Sequence, residues 1–280
     1  MTGRTARAGK RSVWEKLALV PHTVWVVMFI VAPLLFVAYY AFTDQNGAFS
    51  FENITNLTFY GKTFFMSVCY SLIATAVCLL IGYPLAYCMA KSSPRMQTVL
   101  LLLLMLPMWV SLLVRTYSLM AIFDNGGIIS TFIQSLGGNK LTFIGTDAAV
   151  ILGMVYDFLP YMVLPIFTSM IKLDGSLTEA AQDLGCNAFR AMLKVTLPLT
   201  VPGVISGVTM VFVPSISTFY ISQKLGGGLF DLIGDTIERQ FQNPSTYHVG
   251  AALSLVMMIL ILISLTIMNK FSDDEGEVIV

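Results

Sequence analysis

The chain has 280 residues, of which 56% are hydrophobic and only 11% charged. Soluble domains carry about 25% charged residues, so this chain cannot cover itself with polar surface, and most of it must face lipid. Its formal net charge is zero and no basic stripe lies outside the N-terminus, which argues against nucleic-acid binding.

Residues 1–16 are polar and basic, with Arg4, Arg7, Lys10, Arg11 and Lys16 against a single Glu15. The apolar run 17–42 is longer than a signal-peptide core, and no small-residue cleavage site follows it. It reads as an uncleaved first span. Further spans are predicted at 64–90, 99–123, 148–171, 201–221 and 249–268. Each is long enough to cross the hydrocarbon, which takes roughly 20 helical residues. Pro33, Pro84, Pro107, Pro160, Pro165 and Pro214 fall inside spans. Each removes a backbone donor and favours a bend, so bent helices around a cavity are expected. The predicted fold is all-α and polytopic: a basic segment 1–16, a six-helix transmembrane domain 17–271, and an acidic tail 272–280.

Cys69, Cys78, Cys88 and Cys186 form no CxxC or metal-ligand spacing and read as free, apolar thiols. His22 and His248 lie near span ends without acidic partners in sequence and read as interfacial packing residues.

Lysine and arginine set orientation. The N-terminus, Lys91, Arg95, Lys172, Arg190, Lys194 and Lys270 fall on one side; Lys62, Lys140, Lys224 and Arg239 fall on the other. Both termini are therefore expected in the cytoplasm, together with the loop 172–198. On the opposite side, the loop 222–248 holds Gly226-Gly227-Gly228 and then an amphipathic stretch, 229–241. No loop there is large enough to form a solute-capturing domain.

The loop 172–198 is a short, charged, Gly-broken interruption between two long apolar runs. Ser176 followed by Glu179 is a capping-box pattern, so a short helix is expected to begin at Leu177. Leu177, Ala180, Ala181 and Leu184 share one face at spacings of three and four. Asp183 lies on the same short helix. Gly185 suits a left-handed stop, and Asn187 a cap for a second short helix carrying Arg190 and Lys194. Such a loop is either a docking surface for another protein or a re-entry segment lying on lipid headgroups.

Glu179-Ala180-Ala181, three residues, Gly185, nine residues, then Val195-Thr196-Leu197-Pro198 resembles the signature of permease subunits of binding-protein-dependent ABC importers. That pattern is E-A-A, three residues, G, nine residues, I-x-L-P; Val195 in place of Ile is the single departure. The resemblance implies that Glu179, Ala180, Ala181 and Gly185 belong to coupling helices docking on an ATPase subunit, with Leu197 and Pro198 anchoring the re-entry into the fifth span. Across most of the chain, ordered strings are similar to B-type permeases of spermidine/putrescine importers. They are Ile81-Gly-Tyr-Pro84-Leu-Ala, Ser111-Leu-Leu-Val-Arg115, Leu159-Pro160-Tyr161-Met162, Pro214 through Phe219-Tyr220-Ile-Ser222, Gly226-Gly227, Leu232-Ile233-Gly234 and Gln240-Phe241. This likeness implies a bacterial inner-membrane complex. Its other parts would be a C-type permease, two ATPase subunits that hold ATP and Mg, and an extracytoplasmic polyamine-binding protein.

Charged groups inside spans are expensive and are candidates for function. Arg115 reads either as a strut or gate, placed where it can snorkel, or as a substrate contact. Asp157 stands between Tyr156 and Phe158, and a carboxylate flanked by rings suits a polyamine. Phe219 and Tyr220 read as an interfacial belt or as a gate at the external mouth. Asp235 and Glu238 would attract a cation, contact a binding protein, or simply be solvated. There is no GxxxxGK[ST] loop, so ATP binding is expected in a partner rather than in this chain. An importer permease for an amino acid, a phosphonate or an iron complex is the nearest alternative. An ion-driven transporter is the alternative of another class, but a lone intramembrane Asp and no visible repeat disfavour it.

Overall fold

The computed structural model describes residues 13–44, 47–136, 142–228 and 231–276. Helix α1 (Val13–Val26) passes through a π turn, Val27–Val31, into α2 (Ala32–Ala41), and together they form the first span. The π turn has a local cause. Pro33 lacks an N–H, and its ring crowds the carbonyl four residues earlier, so the ladder widens there. The same device recurs at the π turn Met192–Thr196, which ends two residues before Pro198 just as Val27–Val31 ends two before Pro33.

Two short turns, α3 (Glu52–Thr55) and Asn56–Tyr60, lead into α4 (Gly61–Ala90), which continues unbroken through Pro84. The third predicted span is not one helix. Helix α5 (Pro94–Met105) tightens into a 3-10 turn, Leu106–Trp109, and the backbone then extends at Val110 and Ser111 (ψ 138° and 139°). The chain restarts as α6 (Leu112–Phe123), followed by α7 (Ile128–Ser135). The two halves are bent by 93°. Pro107 sits at the break, where it can neither donate to the ladder nor clear the carbonyl behind it.

Helix α8 (Asp147–Met170) matches the fourth predicted span. Then come α9 (Gly175–Asp183), α10 (Ala188–Ala191), the π turn, and α11 (Leu197–Ser217). The fifth span therefore starts at Leu197 rather than 201, and it breaks at Thr218–Phe219 instead of running to 221. Helices α12 (Tyr220–Leu225) and α13 (Ile233–Gln242) follow, then a 3-10 turn and α14 (Tyr247–Gly276). The sixth span runs past 268, so the described part of the acidic tail is helical. Among the described residues, five helices are long and apolar enough to cross a membrane, or six with the bent pair counted as one.

Helices α4, α8 and α11 form the centre. Cys78 Sγ lies 3.8 Å from the Val155 carbonyl, and Gly82 abuts Met162, so α4 and α8 run parallel. The connection between them must then cross the bundle, which makes the bent pair a single broken crossing. Helix α11 runs antiparallel to α8: Gly203 meets Ser169 and Pro165, while Gly207 meets Met162. A Cβ on Gly203 would fall 2.5 Å from Ser169 Cβ, and one on Gly207 would fall 2.9 Å from Met162 Sδ. Lipid gives no hydrophobic drive between helices, so close approach over small residues holds the bundle. Helix α14 lies antiparallel to α11, with Leu253 and Met257 in one cluster with Phe212 and Ile216, and Thr209 meeting Met268. The loop 172–196 and the end of α14 therefore lie at the same end of the bundle. His248 Nδ1 lies 3.1 Å from the Tyr40 carbonyl and packs on the Tyr40 ring, which fits its expected packing role. The four cysteines are free.

Candidate functional site

The charged loop forms two short helices set across the bundle end. Helix α9 begins at Gly175, two residues before the predicted start, because its cap is Asp174 and not Ser176. Asp174 Oδ1 accepts the Ser176 N–H at 3.0 Å, and that bond holds the carboxyl below its ordinary range. An acid at this position also suits the positive helix pole. Gly185 has φ +90°. Its N–H reaches the Gln182 carbonyl at 2.9 Å, and the Cys186 N–H reaches Ala181 at 3.1 Å. This is the Schellman arrangement, which ends the helix by turning the chain left-handed. Asn187 Oδ1 then accepts the Arg190 N–H at 2.8 Å and caps α10 as expected.

Leu177, Ala180 and Leu184 are exposed, and Ala181 is half-buried; Leu184 is 88% exposed. Phe189 on α10, which the sequence pattern did not single out, is 64% exposed. A leucine and a phenylalanine thus stand out of a charged loop, uncovered by the described residues. Glu179 and Asp183 flank it, also exposed, while Leu197 and Pro198 open α11 behind the π turn.

In mid-bundle, Arg115 Nη1 and Asp157 Oδ1 are 2.8 Å apart, with side chains 9% and 1% exposed. Arg115 stands in the first turn of α6, just past the break, and Asp157 lies halfway along α8. The arginine does not snorkel; it is buried against its counter-ion. Nor do the neighbouring rings clasp Asp157. Successive helical residues diverge, so i and i+1 do not face each other. Tyr156 is exposed, Asp157 is buried on the α6 side, and Phe158 is buried in the core.

At the end opposite the loop, Phe219 and Tyr220 part at the chain break. Phe219 lines an apolar crevice with Ile237, Met257 and Ile261. Glu238 lines the same crevice and accepts from Gln223 Nε2 at 3.1 Å. Tyr220 turns the other way, toward Tyr117 of α6. Asp235 is not solvated: it is 1% exposed and accepts the Leu232 N–H at 3.1 Å at the start of α13. Burial raises its carboxyl to about 6, against the lowering effect of its hydrogen bonds from Ser222 and Leu232. That turn is wedged into the bundle. The Ile233 N–H donates to Ser67 Oγ at 2.7 Å, and a Cβ on Gly234 would strike the Thr218 carbonyl at 2.6 Å.

Residues 80–274 match the family described as binding-protein-dependent transport system inner membrane component. The chain belongs to this family. It is thus a multi-pass component of the bacterial inner membrane and a transport subunit, one of a class that works with a separate binding protein. It is 35% identical over 257 residues to the spermidine/putrescine transport system permease protein PotB of Haemophilus influenzae, covering 88% of this chain and 90% of the relative. Against the same-named protein of Escherichia coli K12 it is 36% identical over 245 residues, covering 84% and 89%. Among solved structures, a chain of a bacterial alginate ABC transporter, in complex with its alginate pentasaccharide-bound periplasmic protein, superposes with a TM-score of 0.75. The sequence identity is 17%, over 92% of this chain and 94% of that one. At that identity the likeness speaks for the fold alone.

Within this family fold, the residues singled out from sequence fall into separate places: the loop, the Arg115–Asp157 pair, the crevice lined by Phe219 and Glu238, and Tyr220 beside Tyr117. Tyr156 and Phe158 join none of them. Phe189 could have been found as the one aromatic in the loop 172–198. Tyr117 and Lys224, which meet Tyr220, left only weak signals: a tyrosine two residues after a charged one, and a lysine counted merely as a loop charge.

Proposed function

We propose that this chain is the B-type permease of a polyamine importer, one half of the translocation pathway for spermidine and putrescine. It would pair with a C-type permease, receive solute from an extracytoplasmic binding protein, and be driven by two ATPase subunits that hold ATP and Mg. The observation that carries the solute assignment is the identity of 35–36% to permeases of that name over more than four-fifths of both chains. The geometry supports the coupling half of the reading. The loop 172–198 raises Leu184 and Phe189 out of a charged surface, and desolvating such anchors in a partner's groove is a common basis of docking. With that loop in the cytoplasm, as the lysine and arginine bias implies, the end of α14 lies there too. Closure of the ATPase pair would move α9 and α10, and the broken helices would open the opposite end.

The test is uptake of labelled spermidine and putrescine by cells lacking other polyamine importers, supplied with this chain and its partner subunits. Uptake that requires ATP and is competed by either polyamine, but not by amino acids, phosphonate or iron chelates, is the expected result. Wild-type complex that imports neither polyamine removes the solute assignment. Import that persists without the ATPase subunits removes the coupling assignment.

A further inference from the structure

Tyr117 on α6 and Tyr220 on α12 meet edge to face, with ring centroids 6.0 Å apart at 77°. The Lys224 ammonium, one turn along α12, lies 5.5 Å from the Tyr117 centroid and 5.7 Å from the Tyr220 centroid. An ammonium within about 6 Å of a ring centroid is attracted by the ring quadrupole, weakly where water can reach it. Lys224 is half-buried and makes no ion pair among the described residues. Its partners are the two rings and the Tyr117 hydroxyl, which also meets Tyr220.

The rings stand on a fixed frame. Ile221 and Leu225 of α12 occupy the space that a side chain at Gly153 of α8 would need, 2.8 and 2.3 Å from its Cβ position. The Gly145 N–H donates to the Leu225 carbonyl at 2.8 Å. Tyr117 follows Arg115 by two residues, and Arg115 is anchored on Asp157. Gly153 is one turn of α8 from Asp157, which puts the tyrosine pair next to the buried ion pair, toward the end opposite the loop.

The Lys224 side chain is four methylenes ending in an ammonium, the same chemistry as one end of a linear alkylpolyamine. We propose that Tyr117 and Tyr220 form an ammonium-binding step of the transport route, and that Lys224 is its tethered resting occupant, displaced by a terminal ammonium of the passing polyamine. This rests on the polyamine reading above. An occupant matched to the cargo makes the exchange nearly even, so the step admits a cation without trapping it. Without the occupant, the rings are open to cargo at all times.

The experiment is polyamine uptake by the assembled transporter at limiting spermidine, with each variant's membrane level measured in parallel. Lys224→Gln, which empties the rings of their resting cation, is expected to raise uptake at limiting spermidine about twofold or more. Lys224→Arg, whose planar cation stacks better on rings, is expected to reduce uptake to about a third or less. Tyr117→Leu should lower uptake at least about fivefold, and Tyr117→Phe should retain it. A merely structural lysine tying two helices predicts the reverse order: arginine restores and glutamine impairs. That order overturns the proposal, as do Lys224→Gln and Lys224→Arg both matching wild type. If wild type imports no polyamine, the solute assignment fails and takes this inference with it. If wild type imports polyamine and the variants follow another pattern, this inference fails alone.

Discussion

Replacing Asp157 by asparagine would test what holds the second half of the broken crossing. Helix α6 follows an extended break, so it cannot inherit its position from α5, and Arg115–Asp157 at 2.8 Å is its charged tie to α8. At an effective dielectric near 20, two unit charges at that distance attract by about 6 kcal/mol. Much of this is offset by taking both charges out of water. The pair also lacks hydrogen-bond alignment, so its net worth is small. Breaking it is another matter, because a neutral amide in place of the carboxylate would leave Arg115 buried with no counter-charge. The expected loss is about 3–5 kcal/mol, a large share of the roughly 5–15 kcal/mol that holds a typical domain together. Arg115→Met alone should cost a comparable amount. Arg115→Met combined with Asp157→Leu should recover most of it, since an apolar pair of similar volume carries no desolvation term. Thermal unfolding of the purified complex in detergent, run as a double-mutant cycle, measures this. Uptake by the double variant then separates the two roles: a strut restores transport with stability, and a pathway carboxylate restores stability only. Single variants that melt with wild type would refute the assignment of the pair as the anchor of α6.

Three further outcomes are expected. Gly185→Asp places a side chain at φ +90°, a conformation costing a non-glycine residue about 1–2 kcal/mol; it should abolish transport and solute-stimulated ATPase activity while the chain still inserts, as read by membrane fractionation. Gly153→Leu drives atoms into Leu225 and Ile221 and should displace α12, lowering the melting temperature by an overpacking cost of about 1–3 kcal/mol. Asp235 in the folded state titrates at about 6, against an ordinary value near 4, so folding is penalised by its charge above about pH 6 and relieved of that penalty below about pH 4. Stability of the wild type should therefore rise as pH falls through that window, modulated by Asp231 and Arg239 nearby, and Asp235→Asn should raise the melting temperature at about pH 7.5 and flatten the dependence.

The parts legible in sequence are those governed by local chemistry. Gly185 as a left-handed stop and Asn187 as a cap are each decided within a few residues. The fourth span lies within a residue or so of its predicted ends because apolar length is a local property too. Errors arise where two local solutions compete. Asp174 and Ser176 both offer an oxygen to the start of α9, and the earlier one takes it. Pro107 and Pro84 look alike in sequence, yet α4 runs straight through Pro84 in the packed centre while the crossing at Pro107 breaks. Side-chain partnerships between distant elements are the least legible. Tyr156 and Phe158 flank Asp157 in sequence but not in space. Asp235 reads as a loop charge and is buried in a cap. Lys224 meets Tyr117 only because Gly153 lets α12 lie against α8.

The glycine contacts also say how a push on the loop can be felt at the far end. Helix α9 hangs from the end of α8, and α10 leads through a π turn into α11, so both helices entering the loop are moved when it moves. Gly203 and Gly207 bring α11 against α8 with no room for a side chain between them. Two helices locked at that distance resist sliding independently, since packed interfaces switch between discrete arrangements rather than deform. At the opposite end, α12 rests on α8 at Gly153, and the start of α13 is wedged against the last carbonyls of α11 at Gly234. A rotation of the α8–α11 unit must therefore carry Tyr220, Lys224 and the Asp235 turn with it. Helix α6 is tied to the unit by the Arg115–Asp157 pair, by Leu119 in the central apolar cluster and by the Tyr117–Tyr220 ring contact. Tyr117 follows the extended break at Val110 and Ser111, so its contact with Tyr220 lies between the second half of the broken crossing and the α8–α11 unit.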